Sequence, residues 1–409
     1  MPPSARKQIM FINAAHSITH YSLLILPTAV LAMASPNSAF GTDYGRIVAL
    51  ATGMFVCYGL FSLPQGWLAL RFGRKALMTA FFLGTGISLA LTAIAPTPTA
   101  LAVALAAAGL FAAIYHPIGT AMLVEAAGDR PGRAIGINGV FGNLGVALAP
   151  VITAGLAQQF GWRAAFLGPG LLAIGLGLAW MRLNVAETGA AFASRPFPAI
   201  PPHLVRRAVA VLLLIAIVSG LVFNAFTILL PKLMQERLGN GLLPLVGFCA
   251  FVVTLCGAVT QFSVGRLIDR TTLKRVFLPM SAVLVPALLG LAFARGWLTL
   301  ALSALVAAAV FGQVTVNETM TARYISPSLR ARMYSVRFFV GFLGSAAAAP
   351  VVGYLHDRTG NVATTMLVLG GFALITFACA LAFPDRREEL EPALWAEAAE
   401  AQAVPAAAE

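Results

Sequence analysis

The sequence contains little charge, and least of all negative charge. Asp and Glu number only 15 of 409 residues, and charged residues of both signs make up 10%, whereas soluble domains carry about 25%. Hydrophobic residues reach 59%, and the mean hydropathy is +0.86. So few charges cannot cover the surface of a water-soluble domain of this length, and that class of protein is excluded.

Several chemical signatures are also missing. No Gly-x4-Gly-Lys-Ser/Thr loop is present, so neither ATP nor another cofactor is expected. No serine–histidine or paired-carboxylate spacing stands out, and an enzyme is not expected. The cysteines lie in separate apolar runs without a Cys-x-x-Cys spacing, which excludes a disulfide framework and a zinc ribbon. They are Cys57, Cys249, Cys256 and Cys379.

Apolar runs of about 20 residues, the length that crosses a bilayer, recur along the chain. Charged residues, Gly and Pro interrupt them and predict twelve helices. The predicted spans are 9–34, 46–70, 76–95, 99–125, 134–158, 163–182, 205–230, 243–265, 275–293, 296–322, 333–355 and 362–383. The sequence thus predicts an all-α membrane protein with two six-helix halves, residues 1–182 and 205–384. A Pro-rich linker at 183–204 joins them, and a charged, Ala-rich tail follows at 385–409.

Lys and Arg lie mostly on one side of this predicted topology. If the N-terminus is cytoplasmic, 20 of them fall in cytoplasmic segments, six fall on the other side, and Arg337 falls within a helix. Because cytoplasmic loops retain Lys and Arg, the bias predicts that both termini are cytoplasmic in an inner membrane of bacterial type. The net charge of +12 then reflects topology, and nucleic acid is not an expected partner. The N-terminal segment lacks a small-residue cleavage site, so we expect it to be retained as the first helix.

The two predicted halves carry an internal repeat. Residues 111–117 precede residues 311–317 by 200 positions, and the two glycine-leucine-basic segments that begin at Gly66 and Gly265 are 199 apart. A Gly-to-Pro segment at 145–150 precedes a similar one at 344–350 by about the same distance. Three agreeing offsets predict two homologous six-helix halves.

The segment Gly66-Trp-Leu-Ala-Leu-Arg-Phe-Gly-Arg-Lys resembles the loop motif of the major facilitator superfamily, and Gly265-Arg-Leu-Ile-Asp-Arg repeats it. Gly161-Trp-Arg-Ala-Ala-Phe is similar to the usual start of that family's sixth helix. The resemblance implies a transporter that works by alternating access. It also implies a conformational latch formed by Gly66, Arg71, Arg74, Gly265, Asp269 and Arg270. The first copy departs from the family pattern, since Leu70 stands where an acidic residue is usual.

Helix 5 carries small residues with a spacing similar to the family's antiporter motif, although Ala149 replaces one usual glycine. Small residues allow close helix approach and proline bends a helix, so Gly145 and Pro150 are candidates for a hinge, with ordinary packing as the alternative. Helix 1, with His16 and His20, and helix 4, with Tyr115-His-Pro, look similar to the fosmidomycin-resistance-like branch of drug–proton antiporters. That branch often has an acidic residue near the position of His20, so its coupling scheme is not carried over.

Ionisable residues within a span are candidates for function, because inserting Asp, Lys or Arg at the middle of a membrane helix costs about 2.5–3.5 kcal/mol of free energy. Glu318 is the only acidic residue clearly within a predicted span, and Arg337 is the only basic one; Glu125 lies at the end of helix 4. The rise of 1.5 Å per residue places Glu318 and Arg337 at similar depth, so we expect them to pair. Glu318 would exchange a proton and Arg337 would meet an anionic solute, while a purely structural ion pair is the alternative.

The histidines are the second group of candidates. His16 and His20 share one face of helix 1 through their i, i+4 spacing, and His116 lies past the middle of helix 4. Imidazole changes its charge in the physiological pH range, so we expect these three side chains to take part in proton coupling with Glu318, or to be ordinary packing residues. Three imidazoles also suit a divalent transition metal, but no carboxylate or cysteine is obviously placed beside them, and no metal site is assigned.

Helices 1, 4, 7 and 10 line the central cavity in the family. Polar side chains on these helices are therefore candidates to bind the solute, in addition to His116 and Arg337. These are Tyr21, Tyr115, Asn224, Gln313 and Asn317. Bridging between helices is the alternative role for Asn224 and Asn317.

The sequence therefore favours a monomeric secondary transporter in the lipid bilayer that moves a small organic solute, anions included, outward in exchange for protons. Proton-coupled uptake through the same residues is one alternative. Transport of a divalent transition metal through the histidines of helices 1 and 4 is the other.

Overall fold

The structure is a computed structural model, which describes residues 3–127, 131–185, 202–238, 242–268, 270–325 and 327–383. Within these ranges every regular element is a helix. Most of the predicted linker, the predicted tail and Asp269 lie outside the described residues.

The first half contains both short and long helices. Its elements are α1 (Pro3–Leu23), α2 (Ile25–Met33), α3 (Tyr44–Ala49), α4 (Thr52–Leu60), α5 (Gln65–Phe72), α6 (Arg74–Ile94), α7 (Pro98–Ala112), a π-helical segment (Tyr115–Gly119), α8 (Thr120–Ala127), α9 (Pro131–Phe160) and α10 (Trp162–Met181). Gly73 and Gly161 take φ values of +81° and +80° at two of the reversals between these helices, a region that glycine adopts without strain.

The second half consists of long helices. They are α11 (Pro202–Leu238), α12 (Leu243–Ile268), α13 (Leu273–Phe293), α14 (Trp297–Tyr324), α15 (Pro327–Thr359) and α16 (Ala363–Ala382). Eleven helices of the described chain are long and apolar enough to cross a membrane, with α1–α2 and α7–α8 each counted once. The pair Tyr44–Leu60 and Gln65–Phe72, bent by 65°, makes a twelfth span. The predicted all-α membrane fold is confirmed.

Prolines break two of the spans. A proline ring collides with the carbonyl four residues earlier. Pro27 accordingly follows the end of α1 at Leu23 by four residues, and Pro117 follows Ala113, the residue after α7, by four. The second break opens the backbone into the π-helical segment, a form that often occurs at functional sites.

Three predicted spans differ from the structure in a way that matters. The span expected at 46–70 is interrupted at residues 61–64. The helix expected to end at residue 230 continues through Pro231 to Leu238, because membrane helices tolerate proline where neighbouring groups satisfy the backbone. The helix expected at 333–355 extends to Thr359. Glu236 and Asp357 therefore lie in the last turns of long helices, where the predicted spans had already ended.

The two halves pack against each other along α9 with α12 and along α3 and α4 with α15. We call the end of the bundle where α1 begins, α10 ends and α11 begins the linker face. The other end, which contains residues 34–43 and 360–362, is the far face. Because successive spans alternate in direction, His16, His116 and Glu318 lie between these faces.

Candidate functional site

The three predicted histidines come together in one cluster. His16 and His20 project from α1, and His116 projects from the π-helical segment. Their ring centroids are 4.9–5.5 Å apart, and one ring nitrogen from each lies within 4.8 Å of the others. All three are half-buried. We call this group the histidine triad.

Hydrogen bonds define the tautomer of His16. Its Nδ1 atom lies 2.7 Å from the carbonyl oxygen of Asn138 in α9, and a carbonyl only accepts, so Nδ1 carries the hydrogen. In the neutral ring the Nε2 atom then holds a lone pair. His20 Nε2 lies 3.1 Å from this atom and donates to it.

A buried polar network holds the triad in place. Asn138 accepts a hydrogen bond from the Tyr115 hydroxyl at 2.9 Å, and its amide donates to Asn13 Oδ1 at 2.9 Å. The Tyr115 ring stacks on His16 at 4.8 Å between centroids. Gly142 lies against the other side of the His16 ring, where an added methyl group would meet His16 Nε2 at 2.6 Å. The network thus fixes the His16 ring from three directions.

The second half covers the triad. Phe338 of α15 stacks on His116 with 5.9 Å between ring centroids, and Phe342 packs edge-on against Tyr58 at 4.7 Å. Tyr58 in turn lies 6.3 Å from His116. A rocking motion of the halves would therefore change the surroundings of the triad directly.

Glu318 of α14 and Arg337 of α15 form the ion pair expected from their depth. The Arg337 side chain is 9% exposed, whereas that of Glu318 is 42% exposed. The carboxylate is therefore the accessible member of the pair. A proton that reaches Glu318 would remove the negative charge that faces Arg337.

Two predicted solute contacts lie on the same helix as Glu318. Gln313 is 1% exposed and Asn317 is 7% exposed. Gln313 accepts a hydrogen bond from Ser219 at 3.2 Å, but its Nε2 atom has no partner among the described residues, and neither has Asn317 Oδ1. Buried polar atoms without a partner are costly, which makes this stretch of α14 a candidate ligand contact.

Two other predicted contacts lie apart from the triad. The Tyr21 hydroxyl is 3.5 Å from Thr153 Oγ1, and Tyr21 lines a mostly apolar cavity of about 320 Å³ within the first half. Asn224 donates to Ser345 Oγ at 2.8 Å and to the Gly220 carbonyl at 3.0 Å. It therefore bridges α11 and α15, which is the alternative role given above.

The predicted latch residues that the structure describes, which exclude Asp269, lie at the linker face. Arg74 pairs with Glu125, and this ion pair joins α6 to α8 within the first half. Arg71 lies over the rings of Trp67 and Phe72 of its own helix. Gly66, Gly265 and Arg270 also lie there, and Gly66 has open space around its Cα.

The predicted hinge residues both lie at helix contacts. A methyl group on Gly145 would meet the backbone of Ser17 in α1. The carbonyl of Pro150 lies against Gly247 of α12, so this part of α9 contacts the second half.

An ionisable cluster at the far face was not among the predicted site residues. Glu236 of α11 lies 3.2 Å from His356 Nε2 and 3.7 Å from Lys232 Nζ. The i, i+4 spacing of Lys232 and Glu236 is a sequence signal for their contact on a helix, but the predicted span ended at residue 230.

A profile of the Major Facilitator Superfamily matches residues 17–253 and 243–407. The chain belongs to the Major Facilitator Superfamily. It is a multi-pass membrane transporter and not an enzyme. Membership accounts for the repeated loop motif and the paired six-helix halves.

Solved structures of other superfamily transporters share the fold. A bacterial homologue of the human lysosomal transporter Spinster, inward-facing and occupied, superposes with a TM-score of 0.71 at 16% identity over 98% of each chain. Its unoccupied inward-facing form gives a TM-score of 0.67 at 14% identity, with the same coverage. A variant of the nucleoside transporter NupG gives 0.72 at 13% identity, over 93% of this chain and 100% of that one. Identities this low show the fold alone.

A curated relative in sequence is monocarboxylate transporter 9 of Pongo abelii. It is 23% identical over 164 residues, which are 36% of this chain and 31% of the relative. The match thus spans about a third of that protein's length.

Proposed function

We propose that this superfamily member is a proton-coupled secondary transporter that moves a small organic solute, anions included, by alternating access. Outward movement in exchange for protons is the favoured direction, and uptake would use the same residues. The linker face is cytoplasmic in a bacterial inner membrane, as the distribution of Lys and Arg indicates. The protein acts as a monomer.

The observation that carries this proposal is the Glu318–Arg337 ion pair inside the second half. The carboxylate is 42% exposed and can exchange a proton with water, while Arg337 stays 9% exposed. Protonation of Glu318 would remove the negative charge that faces Arg337, and the guanidinium would then bind an anionic group of the solute. Gln313 and Asn317, with one unpartnered polar atom each, would supply hydrogen bonds to the same solute.

The histidine triad serves as a further proton site in the first half. Arg74 with Glu125, together with the other loop-motif residues, stabilises one conformation at the linker face. Gly145 and Pro150 allow α9 to change its angle against α1 and α12 during the rocking motion.

The test begins with a ligand screen, because a bound solute raises the melting temperature of the purified protein. Organic acids and drugs are screened first, and the solute found is followed in proteoliposomes under an imposed pH gradient. Glu318→Gln should abolish proton-driven movement and retain solute exchange at equal pH. Glu318→Asp keeps a titratable carboxylate and should retain part of the driven transport. An unchanged pH dependence in Glu318→Gln would rule out the assigned role.

A second candidate function is transport of a divalent transition metal, and one observation favours it. The His16 Nδ1–H donates to a backbone carbonyl, which is the outer contact that metal-binding histidines usually make. Three ring nitrogens within 4.8 Å would leave a fourth position for water or an anion.

A further inference from the structure

The far face contains a pair of carboxyl groups that belong to different halves. Asp43 precedes α3 of the first half, and its Oδ1 atom accepts from the N–H groups of Gly45 at 3.2 Å and Arg46 at 3.4 Å. Asp357 lies in the last turn of α15 in the second half, and its carboxylate lies against Gly45, within hydrogen-bonding reach of Asp43. Two ionised carboxylates only accept, so a hydrogen bond between them requires a proton.

The surroundings of Asp43 favour its ionised form. Burial raises the pKa of Asp43, but a hydrogen bond with Asp357 and those from the backbone of Arg46 and Gly45 lower it by more, so its pKa lies below the usual value. Asp43 is therefore suited to accept a hydrogen bond in the pair. Both side chains are reached by water, so the proton exchanges with the solution at the far face.

The backbones of the two halves touch beside this pair. A methyl group on Gly45 would collide with the Asp357 carboxylate and with the Gly353 carbonyl, and one on Gly353 would meet the Gly45 carbonyl at 2.6 Å. Tyr44 of the first half is inserted into the second half, with its hydroxyl 3.4 Å from the Ile228 carbonyl and its ring 5.0 Å from His356. A separation of the carboxyl groups would therefore open the contact between α3 and α15.

Other charged groups surround the pair. Arg46 Nε lies 3.7 Å from Asp43 and is 81% exposed, so it neutralises Asp43 weakly. His356 and Lys232 both contact Glu236 of their own half, and both also lie against the ring of Tyr44 in the first half, at 5.0 Å and 5.4 Å. Arg358 lies over the ring of Tyr354. Among these contacts of the described chain, the Asp43–Asp357 pair is the one that brings two carboxyl groups together across the halves.

We propose that Asp43 and Asp357 bind a single proton between them, and that this proton holds the far face closed. When the proton leaves, two like charges face each other across the seam and the halves separate there. This inference rests on the proposed proton-coupled transport and adds a proton site that acts on the gate instead of on the solute. Acid on the far side would then favour the conformation that opens toward the linker face.

The test measures the gate directly by pulsed electron paramagnetic resonance. Spin labels are placed at Asn37→Cys and Asn361→Cys, one on each half at the far face, after the four native cysteines are replaced by Ala. In wild type the ratio of molecules with a short distance between the labels to molecules with a long one should fall between pH 5 and pH 8. If the opening releases one proton, this ratio changes by at most about tenfold per pH unit. In Asp357→Asn the side-chain amide donates to Asp43 through an N–H group that does not titrate. The population with a short distance should therefore persist at every pH.

Glu236→Gln is the matched control, since it removes a neighbouring carboxylate whose partners lie in one half. It should keep the wild-type pH response. Should Asp357→Asn fail to fold, Asp43→Asn removes the same shared proton and should give the same constant distance. A pH-independent distance in wild type, a wild-type response in the Asn variants, or a response lost in Glu236→Gln would each overturn the proposal. Because no solute is present, these outcomes are independent of the Glu318→Gln transport result.

Discussion

The Nε2 atoms of His16 and His20 lie 3.1 Å apart, and only one of the two rings donates in this contact. Neutral His16 accepts, because its other nitrogen donates to Asn138. One added proton keeps a hydrogen bond between the rings, since protonated His16 can donate to a His20 ring that holds its hydrogen on Nδ1. A second added proton would set N–H against N–H, so the pair is suited to bind one proton.

The first prediction concerns His20. Gln can donate to His16 Nε2 but cannot titrate, so His20→Gln should keep the fold and weaken the dependence of solute binding on pH. A typical coupling between two binding sites changes the affinity of one ligand by about 5- to 150-fold when the other binds. His20→Gln should lose a large part of the change in solute affinity that protonation causes. The measurement is solute affinity of the purified protein across pH 5 to 8. His203→Gln, in the predicted linker, is the control and should match wild type. Equal pH profiles for both variants would show that the triad does not couple protons to the solute.

The second prediction tests the metal candidate. On that function, wild type should bind one Co²⁺ per chain and give the visible absorption of a four-coordinate ion. His116→Gln should abolish this signal, and acid should weaken binding because metal ligands must be deprotonated. A spectrum without saturable Co²⁺ absorption would remove the metal candidate and leave proton coupling untouched.

The third prediction concerns close packing of α9 on α1. Gly145→Ala should destabilise the fold by about 1–3 kcal/mol, because the methyl group meets the Ser17 backbone, with Ser17 Cα 2.9 Å away. Gly139→Ala on the same helix meets nothing within 4 Å and should be stabilising by about 0.5–1 kcal/mol. Melting temperatures of the two purified variants provide the comparison. If both variants melt alike, the contact at Gly145 is not tight, and its hinge assignment loses its structural support.

The membrane spans were predictable because their signal is local. About 20 consecutive apolar residues are needed wherever a helix crosses the bilayer, so hydropathy locates such helices without knowledge of their neighbours. One difference lies at a proline. The predicted span ended at residue 230, directly before Pro231, and so left Lys232 and Glu236 outside the helix. A proline marks a boundary in water, but its tolerance within a membrane helix depends on groups from other parts of the chain.

The candidate site was predictable only in part. The i, i+4 spacing placed His16 and His20 on one face, and helical rise placed Glu318 level with Arg337. Asn138, however, contacts His16 and Asn13, which precede it by 122 and 125 positions in the sequence. No periodic pattern in the sequence indicates a contact between residues so far apart.

The sequence by itself determined that this chain lies in a membrane, that it has two repeated halves and that few ionisable groups enter the apolar region. These properties follow from composition and from helix length, which each segment carries on its own. Only the tertiary structure decided that three imidazoles meet and that Asp43 reaches Asp357 across the seam. Contacts between distant segments depend on how helices break, tilt and pack, and these depend on neighbours that a local pattern does not contain.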